Sequence, residues 1–561
     1  MAAAVPQSNR WLFGPVPDIL IGCGVAYMAF FTALVFAGPQ LRAVLPLGLL
    51  PLVSVFFGTP HYGATLLRVY EQRSERRAYA FFTVWMSLVV AAFFVGGLYS
   101  AVLGSLLLSL YLTWSPWHYT GQNYGVALLF LRRRGVEITP QTKRFIYASF
   151  VLSYFLTFLA IHGAAYSGDY APIDYNGSIY RFLRFGIPTP WWGYAFGVFG
   201  VAYVACIALA ARDLLRRAKV ADLVPTALVM ATQVLWFSLP PLGRELGLLS
   251  SVDPFRPDNA SFLFIWVAAG HAAQYLWITA YYAGERSPGA RVGYYAKCVF
   301  AGSAIWSIPA ILYVSSGLAG SRIGGLATGE DAGVLVAAMV NIHHFMIDGA
   351  IWKLRDGRVA RVLIRREARD VSTSVLVAPQ RRRLAPILLG VGALWTFSTI
   401  ASLIERDRVL GPALARGDVA TAEASLGRLA WIKRDAPADY NRVAQMAAQH
   451  DNADAALRVL DRGIERHGRA ATWQSKGAYL EKIGKRDEAL AALEAGLRTH
   501  PEDPDLLYAA GRLQLQLGNV ETALAMLEHA KAVAPGDKRI DLTLERAREK
   551  RAAEAPAPSG A

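Results

Sequence analysis

Residues 341–352 read Asn341-Ile342-His343-His344-Phe345-Met346-Ile347-Asp348-Gly349-Ala350-Ile351-Trp352, inside an apolar run long enough to span a bilayer. Two imidazoles and a carboxylate are costly in hydrocarbon, so such a cluster marks a functional site whose partners should lie on other spans. Three further apolar runs each carry one interior His: His61, His118 and His271.

Working outward, apolar runs of about 20 residues fall near 17–38, 44–70, 78–99, 101–131, 145–163, 191–211, 223–242, 260–283, 295–317, 331–354 and 384–404. They predict an all-α, polytopic membrane helix bundle of about eleven spans over residues 1–405. The pair 78–99 and 101–131 has almost no connection and must form a tight helical hairpin. Residues 1–17 hold one Arg, and the first run has no A-x-A cleavage pattern, so it reads as a retained span rather than a signal peptide.

All but +1 of the formal charge of +15 belongs to this part, because residues 406–561 carry 24 basic and 23 acidic residues. The basic residues gather on alternate connections: Arg73, Arg76 and Arg77; Arg132 to Arg134, Lys143 and Arg144; Arg212, Arg216, Arg217 and Lys219; Arg286, Arg291 and Lys297; and the run from Lys353 to Arg383. The intervening ones hold only Arg42, Arg181, Arg184, Arg244, Arg256 and Arg322. That is the positive-inside pattern, not the basic face of a nucleic-acid binder, so nucleic acid is excluded as a partner. It predicts a plasma (inner) membrane protein with a cytoplasmic N-terminus and, after an odd number of spans, a C-terminal region on the periplasmic or extracellular side.

Residues 355–370 read as a basic amphipathic helix attracted to anionic headgroups, making membrane lipid a partner. Tyr166, Tyr170, Tyr175, Tyr180, Phe182, Phe185, Trp191 and Trp192 read as an interfacial aromatic cap, with a substrate lid as the functional alternative. Cys23, Cys206 and Cys298 have no metal or redox spacing.

Counted from the basic ends of their spans, His61 lies 10 residues before Glu71, His118 14 before Arg132, His271 14 before Glu285 and His344 11 before Arg355. At 1.5 Å per residue these depths agree within about 6 Å. All four spans are even-numbered and run the same way, so the imidazoles share one layer of the bilayer. Each has polar company on its own helical face: Thr65 after His61, Gln122 after His118, Gln274 and Tyr275 after His271, and Asp348 after His344. A metal-bound imidazole needs its second nitrogen held, and such neighbours supply that.

A lone intramembrane His is most often an interhelical hydrogen-bond partner. Five together favour a metal site made of His61, His118, His271, His343 and His344, with Gln122, Gln274, Tyr275 and Asp348 supporting the rings. His343 and His344 point about 100° apart, so His343 is either a fifth ligand or a supporting group. Imidazoles with one carboxylate suit a transition metal, non-haem iron first; bis-His haem ligation is the alternative. His162 is expected to lie outside the site, and His450, His467, His500 and His529 on the repeat surface.

After residue 405 the pattern changes. Gly477, Gly484, Ala489 and Pro501 recur 34 residues later as Gly511, Gly518, Ala523 and Pro535, and Ala455 precedes Ala489 by 34. This period resembles the tetratricopeptide repeat, which implies an α-solenoid that binds a protein partner. The reading divides the region into a connector with a possible degenerate repeat at 406–435, repeats at 436–551 and a disordered tail at 552–561. A fragment from about Ala436 is expected to be soluble and helical.

The H-x-x-H-H and H-x-x-x-H spacings of membrane desaturases and hydroxylases are absent. Single His residues on separate spans distantly resemble the layout of Brp/Blh-type membrane dioxygenases, and residues 1–405 are assigned to no family. The leading expectation is an oxidative metalloenzyme acting on a lipid or isoprenoid-like substrate. The layout of spans followed by repeats also resembles some membrane glycosyltransferases, but those need an acidic residue in the first outer loop, which Gly38 to Arg42 lacks. An acyltransferase would use one His and leave the others unexplained. The remaining alternative is a non-enzymatic haem-binding or scaffold protein.

Overall fold

The computed structural model describes residues 10–30, 32–33, 52–70, 79–164, 178–245, 260–286, 291–314, 329–352, 363, 384–534 and 537–554. The expected amphipathic helix at 355–370 lies outside them except for Leu363, as do Gly38 to Arg42, Tyr166, Tyr170 and Tyr175. The described residues are helical apart from turns and one isolated bridge, Gly163 to Ile187. The chain divides into two compact units, Met1–Phe397 and Ser398–Ala561.

Six helices among the described residues are long and apolar enough to cross a membrane: Phe81–Tyr99, Pro140–His162, Thr189–Arg217, Val220–Gly243, Gly333–Ile351 and Pro386–Arg416. The expected spans at 17–38, 44–70 and 295–317 fall partly outside the described residues, and 260–283 lies in the helix Ala260–Arg286, which is not among the six. The long helix Ala101–Arg133 is interrupted by a polar stretch, His118 to Asn123, which lowers its hydropathy. Burial ranks these helices. In Gly333–Ile351, 72% of the apolar window is buried, against 17% in Phe81–Tyr99 and Thr189–Arg217. The latter two expose Trp85, Trp191 and Val201, apolar surface suited to lipid.

Four helices carry the site and are labelled in chain order: α1 (Thr59–Tyr70), α2 (Ala101–Arg133), α3 (Ala260–Arg286) and α4 (Gly329–Ile351). The expected hairpin is present. Ser100 is extended between Ser87–Tyr99 and α2, and its hydroxyl accepts from Leu103 N at 3.3 Å. Helix α1 packs against Arg291–Val314 through glycines: a Cβ on Gly63 or Gly302 would overlap the Cys298 or Thr59 carbonyl. Small residues are the membrane solution for close helix approach, and here they set the rotation of α1.

The aromatic segment after Gly163 is anchored where it is described. The Tyr180 hydroxyl donates to Gly97 O at 2.7 Å, while Arg181 N and Leu183 N donate to Ser105 and Ser109 on α2 at 3.0 and 2.7 Å. Tyr180 and Phe182 are therefore buried packing residues, whereas Trp191 is exposed.

In Ser398–Ala561 helices pair at the expected period. Gly477 lies under Leu493, and 34 residues later Gly511 lies under Leu527; Gly484 and Gly518 end their helices at φ 83° and 90°. Residues 406–435, read from sequence as a connector with a possible degenerate repeat, contain the helices Gly411–Arg416 and Val419–Trp431. Leu410, Leu426 and Leu429 share a core with Tyr440, Val443 and Leu460. Arg406 pairs with Asp439 at 2.8 Å, and Glu405 pairs with Arg428 at 2.8 Å. His467, His500 and His529 hydrogen-bond to Asp435, the Gly468 carbonyl and Glu502, so they join neighbouring helices.

Candidate metal centre

Helices α1 to α4 bring one imidazole each to a common point. A ligating nitrogen from His61, His118, His271 and His344 lies within 4.8 Å of every other. The ring centroids form a closed circuit: His61 to His344 4.2 Å, His344 to His118 5.0 Å, His118 to His271 4.9 Å and His271 to His61 4.8 Å. Two nitrogens on one ion at about 2.1 Å stand at most about 4.2 Å apart, so the widest pair would close by about 0.6 Å.

The rings are buried and mostly unsatisfied. His61 Nδ1, His118 Nε2, both nitrogens of His271 and His344 Nε2 are shielded from solvent and make no hydrogen bond. Buried polar atoms nearly always have a partner, so these nitrogens make the cluster a group that could hold a metal ion.

Below the rings a hydroxyl network fixes one tautomer. Thr65 Oγ1 donates to Asp348 Oδ1 at 3.0 Å and the Tyr275 hydroxyl donates to the same oxygen at 2.5 Å. Thr65 Oγ1 also lies 2.5 Å from the Tyr275 hydroxyl and 3.1 Å from His344 Nδ1, and with its own proton on the carboxylate it can only accept at the imidazole, His344 Nδ1 then being the donor. That leaves His344 Nε2 with a bare lone pair facing the cluster, the form that binds a metal. Trp352 Nε1 donates to the Tyr275 oxygen at 2.9 Å and holds the network from beneath.

Three sequence expectations need correction, those for Gln122, Gln274 and His343. Gln122 does not support a ring: its amide donates to the His271 backbone carbonyl at 3.2 Å and to Gln274 Oε1 at 2.5 Å, and Gln274 in turn donates to Gly22 O at 2.9 Å. This pair locks the backbone of α3 against α2 and the N-terminal segment. His343 is not in the cluster; its ring stacks on Tyr70, with Nε2 3.3 Å from the Tyr70 hydroxyl. Neighbouring residues point about 100° apart, and α4 turns His344 inward. His162 also stands apart, its Nε2 3.0 Å from Thr113 Oγ1 and its Nδ1 accepting from Phe185 N.

Sequence reasoning missed an aromatic collar. Phe345 stacks on His118 at 4.5 Å, Tyr119 leans on His271 at 4.2 Å, and Tyr62 lies edge-on to His344 at 5.3 Å. The signal was present: an aromatic residue directly follows His61, His118 and His344. The Tyr62 hydroxyl donates to Asn341 Oδ1 at 2.7 Å, tying the collar to α4.

Fold and site together define a helical bundle, with helices long and apolar enough to cross a membrane and a four-histidine cluster, followed in sequence by a repeat region. Residues 484–546 match the family model of the tetratricopeptide repeat, which identifies the C-terminal region. No curated protein matches the chain.

Proposed function

We propose that residues 1–405 form a membrane-embedded, metal-dependent oxidative enzyme, with one transition metal held by His61, His118, His271 and His344. Four imidazoles that each bring one nitrogen to within 4.8 Å of the others, on rings that carry buried nitrogens without a hydrogen-bond partner, support this reading. Iron suits an imidazole set with a neighbouring carboxylate, and no thiolate stands in the cluster. The closed circuit of rings leaves no gap for a porphyrin, which favours a bare ion over haem. Four converging imidazoles also leave none standing alone as an acyltransferase base.

The substrate we infer is lipid or isoprenoid-like. The site is walled by Phe345, Tyr119 and Tyr62 within apolar helices, so an apolar molecule would arrive from the bilayer, with dioxygen as oxidant. When bound, the metal would supply the redox chemistry. The protein's own residues position the imidazoles, hold the His344 tautomer and surround the centre with aromatic rings. The tetratricopeptide repeats supply a protein-interaction surface.

The metal content of protein purified in detergent tests the reading. About one equivalent of iron per chain, lost on replacing His118 or His344 by Ala, is expected. A metal-free protein that refuses iron, manganese, zinc and copper would refute it, and an intense Soret band would replace it with the haem alternative. We further propose eleven spans with the repeats on the outer face, from the alternation of Lys and Arg. A reporter fused after Ala561 and active only in the cytoplasm would overturn that orientation.

A further inference from the structure

We propose that Asp348 is itself a ligand, through Oδ2, so that the centre is a four-imidazole, one-carboxylate set with one position left for an exogenous molecule. The inference rests on the metal reading above and goes beyond it, since spacing along α4 assigns Asp348 only to the support of His344.

The two carboxylate oxygens have different surroundings. Oδ1 accepts from the Tyr275 hydroxyl at 2.5 Å and from Thr65 at 3.0 Å, and those two donors fix the plane of the group. Oδ2 points into the cluster, 3.8 Å from His344 Nε2 and 3.9 Å from His118 Nε2. Neither of those nitrogens has a hydrogen-bond partner. The separations are too long for hydrogen bonds. They fit two donors on one ion, which at metal–ligand lengths of about 2.1 Å stand about 3.0 Å apart at a right angle and about 4.2 Å when opposite. Oδ2 thus stands at the His118 and His344 side of the cluster, just outside the four converging nitrogens, where it would have to close slightly on an ion held by them.

The chemistry follows. A carboxylate offsets part of the charge of a divalent ion in a low-dielectric interior, where an all-imidazole site leaves it whole. A hard oxygen donor among imidazoles selects iron(II) or manganese(II) over copper(I). Five protein donors leave one vertex of an octahedron for an exogenous ligand such as dioxygen.

The test uses the full chain in detergent, stripped with a chelator and titrated with cobalt(II), whose visible spectrum reports coordination. Asp348→Asn keeps an oxygen to accept from Tyr275 and Thr65 but puts an amide in place of the ligating oxygen. Thr65→Val removes the hold on His344 and one of the two donors to Oδ1, and leaves the carboxylate held by Tyr275. If Asp348 ligates, Thr65→Val weakens cobalt binding about 10–100-fold with the wild-type bands in place. Asp348→Asn then weakens it further and moves the bands, with gain of intensity as the coordination number falls. Asp348→Glu, which restores a carboxylate, recovers binding and guards against a folding defect in the Asn variant. If Asp348→Asn leaves the bands unmoved, with an affinity loss no larger than that of Thr65→Val, the carboxylate only positions His344 and the inference is overturned. Wild-type protein that binds no cobalt, iron or manganese would instead overturn the metal reading itself.

Discussion

Replacing His271 by Leu should have opposite effects on stability in the metal-free and metal-loaded protein. Both His271 nitrogens are buried without a hydrogen-bond partner, and each such atom costs about 1–3 kcal/mol. Leu is of similar bulk, packs against Tyr119 and removes both atoms, so in chelator the variant should gain about 2–6 kcal/mol, less about 1 kcal/mol for imperfect repacking. With metal, the wild type is stabilised by binding, about 2.7 kcal/mol when free metal is a hundred times its Kd. The variant, short of a ligand, loses most of that. The assay is unfolding in detergent micelles followed by circular dichroism, with and without chelator, for both proteins. A variant equally destabilised in both conditions would refute the reasoning, because His271 would then be a satisfied packing residue and its nitrogens would have partners in solution.

The adjacent pair on α4 gives a second contrast: His343→Phe should retain metal and His344→Phe should not, since His343 faces Tyr70; equal metal loss in both would contradict the geometry. In the repeat unit, burial alone would push the Asp435 carboxyl up, but hydrogen bonds from His467, Arg466 and Tyr440 outweigh it and hold the group well below the usual carboxylate range. A depressed value means that its stabilisation is full above about pH 5 and fades as pH falls through the acid range, so Asp435→Asn should cost about 1.5–3 kcal/mol at pH 7, still most of that near pH 3, and progressively less as the pH is lowered further in urea unfolding. A fragment starting at Ser398 should exceed one starting at Ala436 in stability by about 3–6 kcal/mol, because Leu410, Leu426 and Leu429 cover Tyr440 and Val443; equal melting temperatures would show that this cover contributes nothing.

The local features of this protein are set by the sequence alone. Apolar runs fix where helices form, because a backbone in hydrocarbon must satisfy its hydrogen bonds within itself. The 34-residue spacing fixes the repeats, because Gly477 and Gly511 are needed wherever a facing Leu comes close. Even the common depth of the four imidazoles is a count along helices of fixed rise. Rotation about each helix axis is another matter, since it depends on what the helix packs against. On α4, Asn341, His344 and Asp348 contact Tyr62 and Thr65 of α1, a stripe at i, i+3 and i+7 that turns His344 inward and His343 away. That stripe was legible in principle, but nothing local says which face meets α1. Gln122 and Gln274 have the spacing of ring partners, yet a carbonyl of α3 and Gly22 O, 252 residues away in sequence from Gln274, take their donors. The two oxygens of Asp348 are identical in the sequence; only the arrival of Thr65 and Tyr275 from two other helices commits one to hydroxyls and turns the other toward His118 and His344. Spacing along one helix is local geometry, whereas the contents of a site between four helices are decided by long-range packing, which no single segment encodes.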